Sequence, residues 1–176
     1  LMRFLDEAVG LNGRGANAIG IDTAASYQIG GTERFLGQWL RQSSHRSRVF
    51  LSSKGGHPVP LLRPNRLSAS DLTSDLEDSL KRLGTDYLDL YLLHRDHPDA
   101  DLEAIVEGMN QNLKRGVIRR WGVSNWHPER VHKLERVAHR MNAEPPTVSS
   151  PQFSLSSWTK PLWKGCVSIS GPEEPS

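Results

Sequence analysis

The sequence predicts an α/β fold: a partial (β/α)8 TIM barrel of about five consecutive βα units around a parallel sheet. Three observations carry this expectation. Apolar runs of strand length alternate with amphipathic runs of helical length. The alternation repeats roughly every 30 to 40 residues, as expected of a βα unit with a right-handed crossover. Polar residues also recur where each strand-like run ends. This favours a barrel over an open doubly wound sheet, whose site gathers near one switch point. A closed barrel has eight strands and typically about 250 residues. The 176-residue chain is therefore read as a central part of one, a single domain over 1–176 with an irregular tail from 154 to 176.

Residues 1–10 place Leu1, Phe4, Leu5, Ala8 and Val9 at helical spacing, with Gly10 as the stop. Asn12 to Gly15 reads as a loop, and Ala18-Ile19-Gly20-Ile21 as a short buried strand ending at Asp22. The glycines before it are no dinucleotide fingerprint, because that loop follows a strand and opens a helix, the reverse of the order here. Thr32 is the expected N-cap of a helix faced by Phe35, Leu36, Trp39 and Leu40. Val49-Phe50-Leu51 is a second buried strand, ending at Ser52-Ser53-Lys54. The proline-punctuated stretch 55–65 can only be loop or turn.

From Ser68, Leu72, Leu76, Leu80 and Leu83 mark a helix closed by Gly84. Tyr87 to Leu93 is the longest strand-like run, and His94 ends it. Leu102, Ile105, Val106, Met109 and Leu113 line the next helix, with Gly116 behind it. Val117 to Asn125 reads as a strand. Pro128 opens a helix with Val131, Leu134, Ala138 and Met141 on one face. Thr147 to Phe153 is a weak strand signal.

Composition narrows the function. The 22 basic and 20 acidic side chains leave a net charge of +2, and the basic ones are scattered, which gives no reason to expect nucleic acid or a membrane surface as partner. A lone cysteine, Cys166, and the absence of any Asn-x-Ser/Thr acceptor fit a reducing, cytoplasmic setting. No apolar run approaches the ~18 residues of a membrane helix. The chain opens on Leu1, which suggests a piece of something longer.

The strand ends present, in order, Asp22 with Tyr27, Lys54, His94, Ser124 with Asn125, and Gln152. In a parallel barrel these ends share one face and can converge. Taken singly, Asp22 would be a cap, Tyr27 and His94 packing residues and Lys54 a solvated side chain; the set has a chemistry of its own. A phenol is a poor proton donor at neutral pH, and a neighbouring ammonium makes it a better one by stabilising the phenolate. Lys54 can supply that charge, Asp22 can hold Lys54, and His94 can hydrogen-bond a carbonyl oxygen. Such a set suits protonation of an alkoxide as hydride reaches carbon. No side chain delivers hydride, so a nicotinamide cofactor is implied. His94-Arg95-Asp96-His97 has no third ligand at a metal-site spacing, and no metal is expected. His45, His57, His127, His132 and His139 read as surface or loop residues, Trp126 and Trp158 as pocket or rim, and Cys166 as inert.

Several stretches together resemble the aldo-keto reductase family: Asp22-Thr23-Ala24-x-x-Tyr27 with Gly31 and Glu33, Ser53-Lys54, Tyr91-Leu92-Leu93-His94, Trp121-Gly122-Val123-Ser124-Asn125 and Gln152-Phe153. The resemblance runs to about Phe153. It implies NADP(H)-dependent interconversion of an aldehyde or ketone with an alcohol, the small-molecule carbonyl being the only partner it points to. Tyr27 would be the general acid, Lys54 and Asp22 its tuning pair and His94 the substrate-orienting group. Ser124, Asn125 and Gln152 would hold the nicotinamide carboxamide. The family's first strand and last two strands have no counterpart, residues 10–17 resemble an insertion, and the isolated chain is expected to bind cofactor poorly and turn over little. Two other classes remain: a Schiff-base lyase using Lys54, and a non-catalytic cofactor-sensing or regulatory module.

Overall fold

The computed structural model describes residues 2–12, 19–59 and 62–151. Five strands and five helices alternate: α1 (Met2–Asn12), β1 (Ile19–Asp22), α2 (Gly31–Ser43), β2 (Val49–Gly55), α3 (Ala69–Leu83), β3 (Leu90–Leu93), α4 (Leu102–Lys114), β4 (Trp121–Ser124), α5 (Pro128–Arg140) and β5 (Val148–Ser150). The strands form one parallel sheet in the order β1-β2-β3-β4-β5. Each strand thus pairs with its sequence neighbour across a helix, giving part of a (β/α)8 barrel.

Strand pleating divides the sheet into two faces. Leu51, Tyr91, Leu93, Trp121 and Val123 alternate onto the helix side, where each is buried and packs with Leu36, Trp39, Leu72, Leu76, Ile105, Met109 and Leu134. The register Asp22↔Ser52, Lys54↔Leu92, Leu92↔Gly122 and Ser124↔Ser150 puts those residues together on the other face, the barrel interior. Gly122 is required there, since a Cβ would strike the Val148 carbonyl.

Helix ends follow local chemistry. Ser68 caps α3 by accepting from the Asp71 amide at 3.1 Å, and Gly84 closes it in the left-handed conformation (φ +63°). Asp101 caps α4 by accepting from the Glu103 and Ala104 amides.

Several expectations are corrected. The first helix runs through Gly10 to Asn12. β1 is only half-buried, because it lies at the sheet edge with β2 as its one strand neighbour. Gly30 (φ +75°), not Thr32, is the N-cap of α2, which begins at Gly31. The longest strand is β2. Before Leu90 the ladder thins: Asp89 still donates its amide to the Leu51 carbonyl and Leu88 its amide to that of Val117, but the Asp89 carboxylate takes the Leu51 amide and Arg46 donates to the Tyr87 carbonyl. β4 likewise starts at Trp121, with Ile118 making only a single bridge to Leu88. Met141 lies past the end of α5 and is exposed.

Candidate active site

Asp22 ends β1 with a half-exposed carboxylate, and both of its oxygens are used. Ser52 Oγ donates to one and Lys54 Nζ to the other. Lys54 is 4 % exposed, and its ammonium also donates to the Thr23 carbonyl at 3.0 Å. The third direction points at the Tyr27 hydroxyl, 3.5 Å away. Lys54 is therefore fixed between the ends of β1 and β2, with its charge directed at the phenol.

Tyr27 reaches this position through a tight turn, Tyr27–Gly30, in which Gln28, Ile29 and Gly30 all adopt positive φ. Such angles are costly for non-glycine residues, especially β-branched Ile29, and they bring the chain round sharply into α2. Tyr27 is 41 % exposed, at the mouth of the sheet. Tyr91 makes the contrast. Wholly buried on the helix side, its phenol is pushed well above the usual tyrosine range by burial first and by nearby Asp75 and Glu33.

His94 follows β3, its amide donating to the Gly55 carbonyl at 2.8 Å. Its ring stands edge-on to Tyr27, centroids 6.0 Å apart, and to His57, 4.8 Å apart. Burial, then the neighbouring His57, Arg95 and Lys54, lower its pKa from 6.5 to about 4, against an opposing pull from Asp22. His94 is thus a neutral imidazole at neutral pH. Ser26 Oγ lies 3.3 Å from Nδ1. When that hydroxyl donates, Nε2 carries the proton.

Asp22, Tyr27, Lys54 and His94 meet in one cluster. Ser124 and Asn125 form a second polar pair at the same end of the sheet on β4, Ser124 buried and its Oγ accepting from Asn125 Nδ2 at 3.1 Å. Asn125 has left-handed backbone (φ +60°), and its amide donates to the Ser150 carbonyl. Gln152, Trp158, Cys166 and the tail lie outside the described residues. Trp126 is buried in the core, with the Arg130 guanidinium over its ring.

Four participants escape sequence reading. Ser52 was available in principle, being two residues from Lys54 and so on the same strand face. Thr23 acts through its carbonyl, which any residue would supply. Ser26 sits in a turn without periodicity, and His57, assigned above to a loop, does lie in one, yet against His94. Among the described residues no group of three or more His, Cys, Asp or Glu could hold a metal, and no helix is long and apolar enough to cross a membrane.

Comparison with known proteins matches the profile of the Aldo/keto reductase family to residues 2–162. A rice protein named probable voltage-gated potassium channel subunit beta is 33% identical over 77% of this chain and 42% of its own length. Aldo-keto reductase YhdN of Bacillus subtilis is 33% identical over 72% of this chain and 38% of its own. Methylglyoxal reductase YeaE of Escherichia coli is 43% identical over 60% and 34% respectively. The chain thus spans about two fifths, or less, of the relatives it matches. With the family match covering most of its length and parallel βα units beneath it, this chain belongs to the aldo/keto reductase family.

Proposed function

We propose that this chain carries the proton-transfer site of an NADP(H)-dependent oxidoreductase that interconverts a small aldehyde or ketone with its alcohol. One observation carries the reading: a buried lysine ammonium shared between a carboxylate and the hydroxyl of a tyrosine exposed at the mouth of the sheet. His94, neutral, donates from Nε2 to the carbonyl oxygen and orients it. Tyr27 gives its proton to the same oxygen as negative charge develops there. Lys54 stabilises the charge left on the phenol, and Asp22, braced by Ser52, keeps Lys54 in place. The reverse reaction uses the same groups with Tyr27 as base.

The donor set at β4 fits a nicotinamide. A carboxamide needs both a donor and an acceptor, and the Ser124 hydroxyl with the Asn125 side-chain amide offers both at the C-terminal edge of a parallel sheet, with Gln152 as a third candidate. When bound, that group supplies the hydride. NADP(H) rather than NAD(H) follows the family resemblance, and the single cysteine supports a cytoplasmic setting. A Schiff-base role for Lys54 is disfavoured, since its three ammonium protons are directed at three oxygens and no lone pair is free to attack.

The test is NADPH oxidation with a panel of aldehydes, alongside NADPH binding by fluorescence. In a chain completed to the length of its relatives, Tyr27→Phe should lower kcat by about 10²- to 10⁴-fold while leaving NADPH binding intact. Undiminished turnover in that variant would sink the reading. A second reading is a non-catalytic, cofactor-sensing regulatory module, and the rice relative's name as a channel subunit favours a regulatory role. NADPH binding with no aldehyde reduced by that completed chain, otherwise unmodified, would favour it.

A further inference from the structure

On the outer surface, between α2 and α3, a cavity of about 420 Å³ is lined by Arg34, Gln38, Arg41, Lys81 and Arg82, with no carboxylate in the lining. It is a shallow depression, open to solvent along most of its surface. The cations are not dispersed over the two helices. Arg34 Nη1 and Arg82 Cδ and Nε all lie between 2.8 and 3.1 Å from the point where a side chain on Gly30 would begin, so the missing Cβ is what lets both side chains pack over Gly30. Arg41 folds across Gly84 in the same way, its Nη1 occupying the place of a second missing Cβ. Two glycines in left-handed backbone, Gly30 and Gly84, therefore admit three arginines, Arg34, Arg82 and Arg41, along one groove.

Counter-charge is short. Glu33, fully buried beneath the groove, accepts from Arg82 Nε at 2.6 Å, but its other oxygen is taken by Ser53. Asp78 stands 3.6 Å from Lys81 on the exposed side. Among the described residues Arg34 donates only to the Ile29 carbonyl and Arg41 has no ion pair. Four cations thus face two carboxylates, one of which is sealed inside. Arg82 is already paired with Glu33, but Arg34, Arg41 and Lys81 stand beside it with only Asp78 opposite them, and a multiply charged anion among them offsets their mutual repulsion. Planar arginine forks recognise phosphate oxygens in bidentate fashion, and a lysine adds a point charge.

We propose that this groove binds a small oligophosphate-bearing anion, at a site separate from the strand-end cluster. Arg34 and Arg41 clasp the phosphates from α2 and Lys81 from α3, while Arg82, held by Glu33 and Ser79, lines the groove beside them.

The experiment titrates the 176-residue chain with pyrophosphate, followed by calorimetry and backbone amide NMR. Saturable binding is expected, with shifts centred on Arg34, Gln38, Arg41, Lys81 and Arg82, and weaker binding of orthophosphate. Arg34→Gln and Arg41→Gln, at exposed positions, should each weaken pyrophosphate binding about tenfold. Lys133→Gln and Arg136→Gln, which remove the same charge from α5, should leave it unchanged. Adenosine diphosphate binding more tightly than pyrophosphate would assign the phosphates to a nucleotide; equal binding would assign them to a free oligophosphate, and both support the site. No saturable binding, equal weakening by the α5 variants, shifts centred on Ser124 and Asn125, or preference for a polyglutamate peptide would each overturn it.

Discussion

Replacing Glu33 with leucine removes the acceptor that joins β2, α2 and α3. Its carboxylate is fully buried, with Ser53 Oγ and Arg82 Nε each donating at 2.6 Å. Ser53 is also fully buried, so its hydroxyl is left unsatisfied at a cost of about 1–3 kcal/mol. Breaking a fully buried ion pair costs about 3–5 kcal/mol. Arg82 is not fully buried, its side chain being 23% exposed, and it keeps its bond to Ser79, so part of that loss is recovered by water. The expected net destabilisation is about 3 kcal/mol, or a Tm lower by about 6–12 °C for a chain of this size. Urea unfolding followed by circular dichroism, at unchanged m, measures it. Glu33→Leu combined with Arg82→Leu should be less damaging than Glu33→Leu alone, because no cation is then left without its partner. A single variant within about 1 kcal/mol of the parent would refute the account of the triad.

Three further outcomes are expected. His94, with a folded pKa of about 4 against 6.5 unfolded, binds fewer protons folded than unfolded, so its contribution is fully present above 6.5 and is lost as pH falls toward 4. An NMR titration of its ring with a midpoint near 6.5, or the same acid slope in His94→Gln, would contradict this. Ser26→Ala should shift the His94 ring toward the Nδ1–H tautomer, read from ring nitrogen shifts; an unchanged tautomer would show that Ser26 does not set it. Gly37→Ala should destabilise by about 2 kcal/mol despite the better helix propensity of alanine, because its Cβ would strike the Arg82 carbonyl where α2 crosses α3. Thermal unfolding at or above the parent Tm would show that the helices can part.

Elements with strong periodicity were legible. The leucine spacing from Leu72 to Leu83, with Ser68 and Gly84 at its ends, locates α3 because cap chemistry and apolar face agree. Strand limits were not, since apolar runs such as Tyr87–Leu93 extend into a stretch where side chains such as Arg46 and Asp89 take some of the backbone hydrogen bonds and continuous pairing ends. For the cluster, strand-end position was enough to bring Asp22, Lys54 and His94 together, as parallel strands force their ends to one side. Ser26 and His57 were missed because turn and loop residues take their direction from backbone angles that no side-chain pattern encodes.

The identity of strand order and chain order has a kinetic consequence. No pairing in this sheet requires the chain to skip a unit, so each strand pairing closes a loop of one βα length. Loop-closure entropy is then met in equal instalments, not in one large step, as in repeat proteins that grow from neighbour to neighbour. Native-state hydrogen exchange should accordingly be graded along the sheet, with β3, flanked by two strands on each side, opening last.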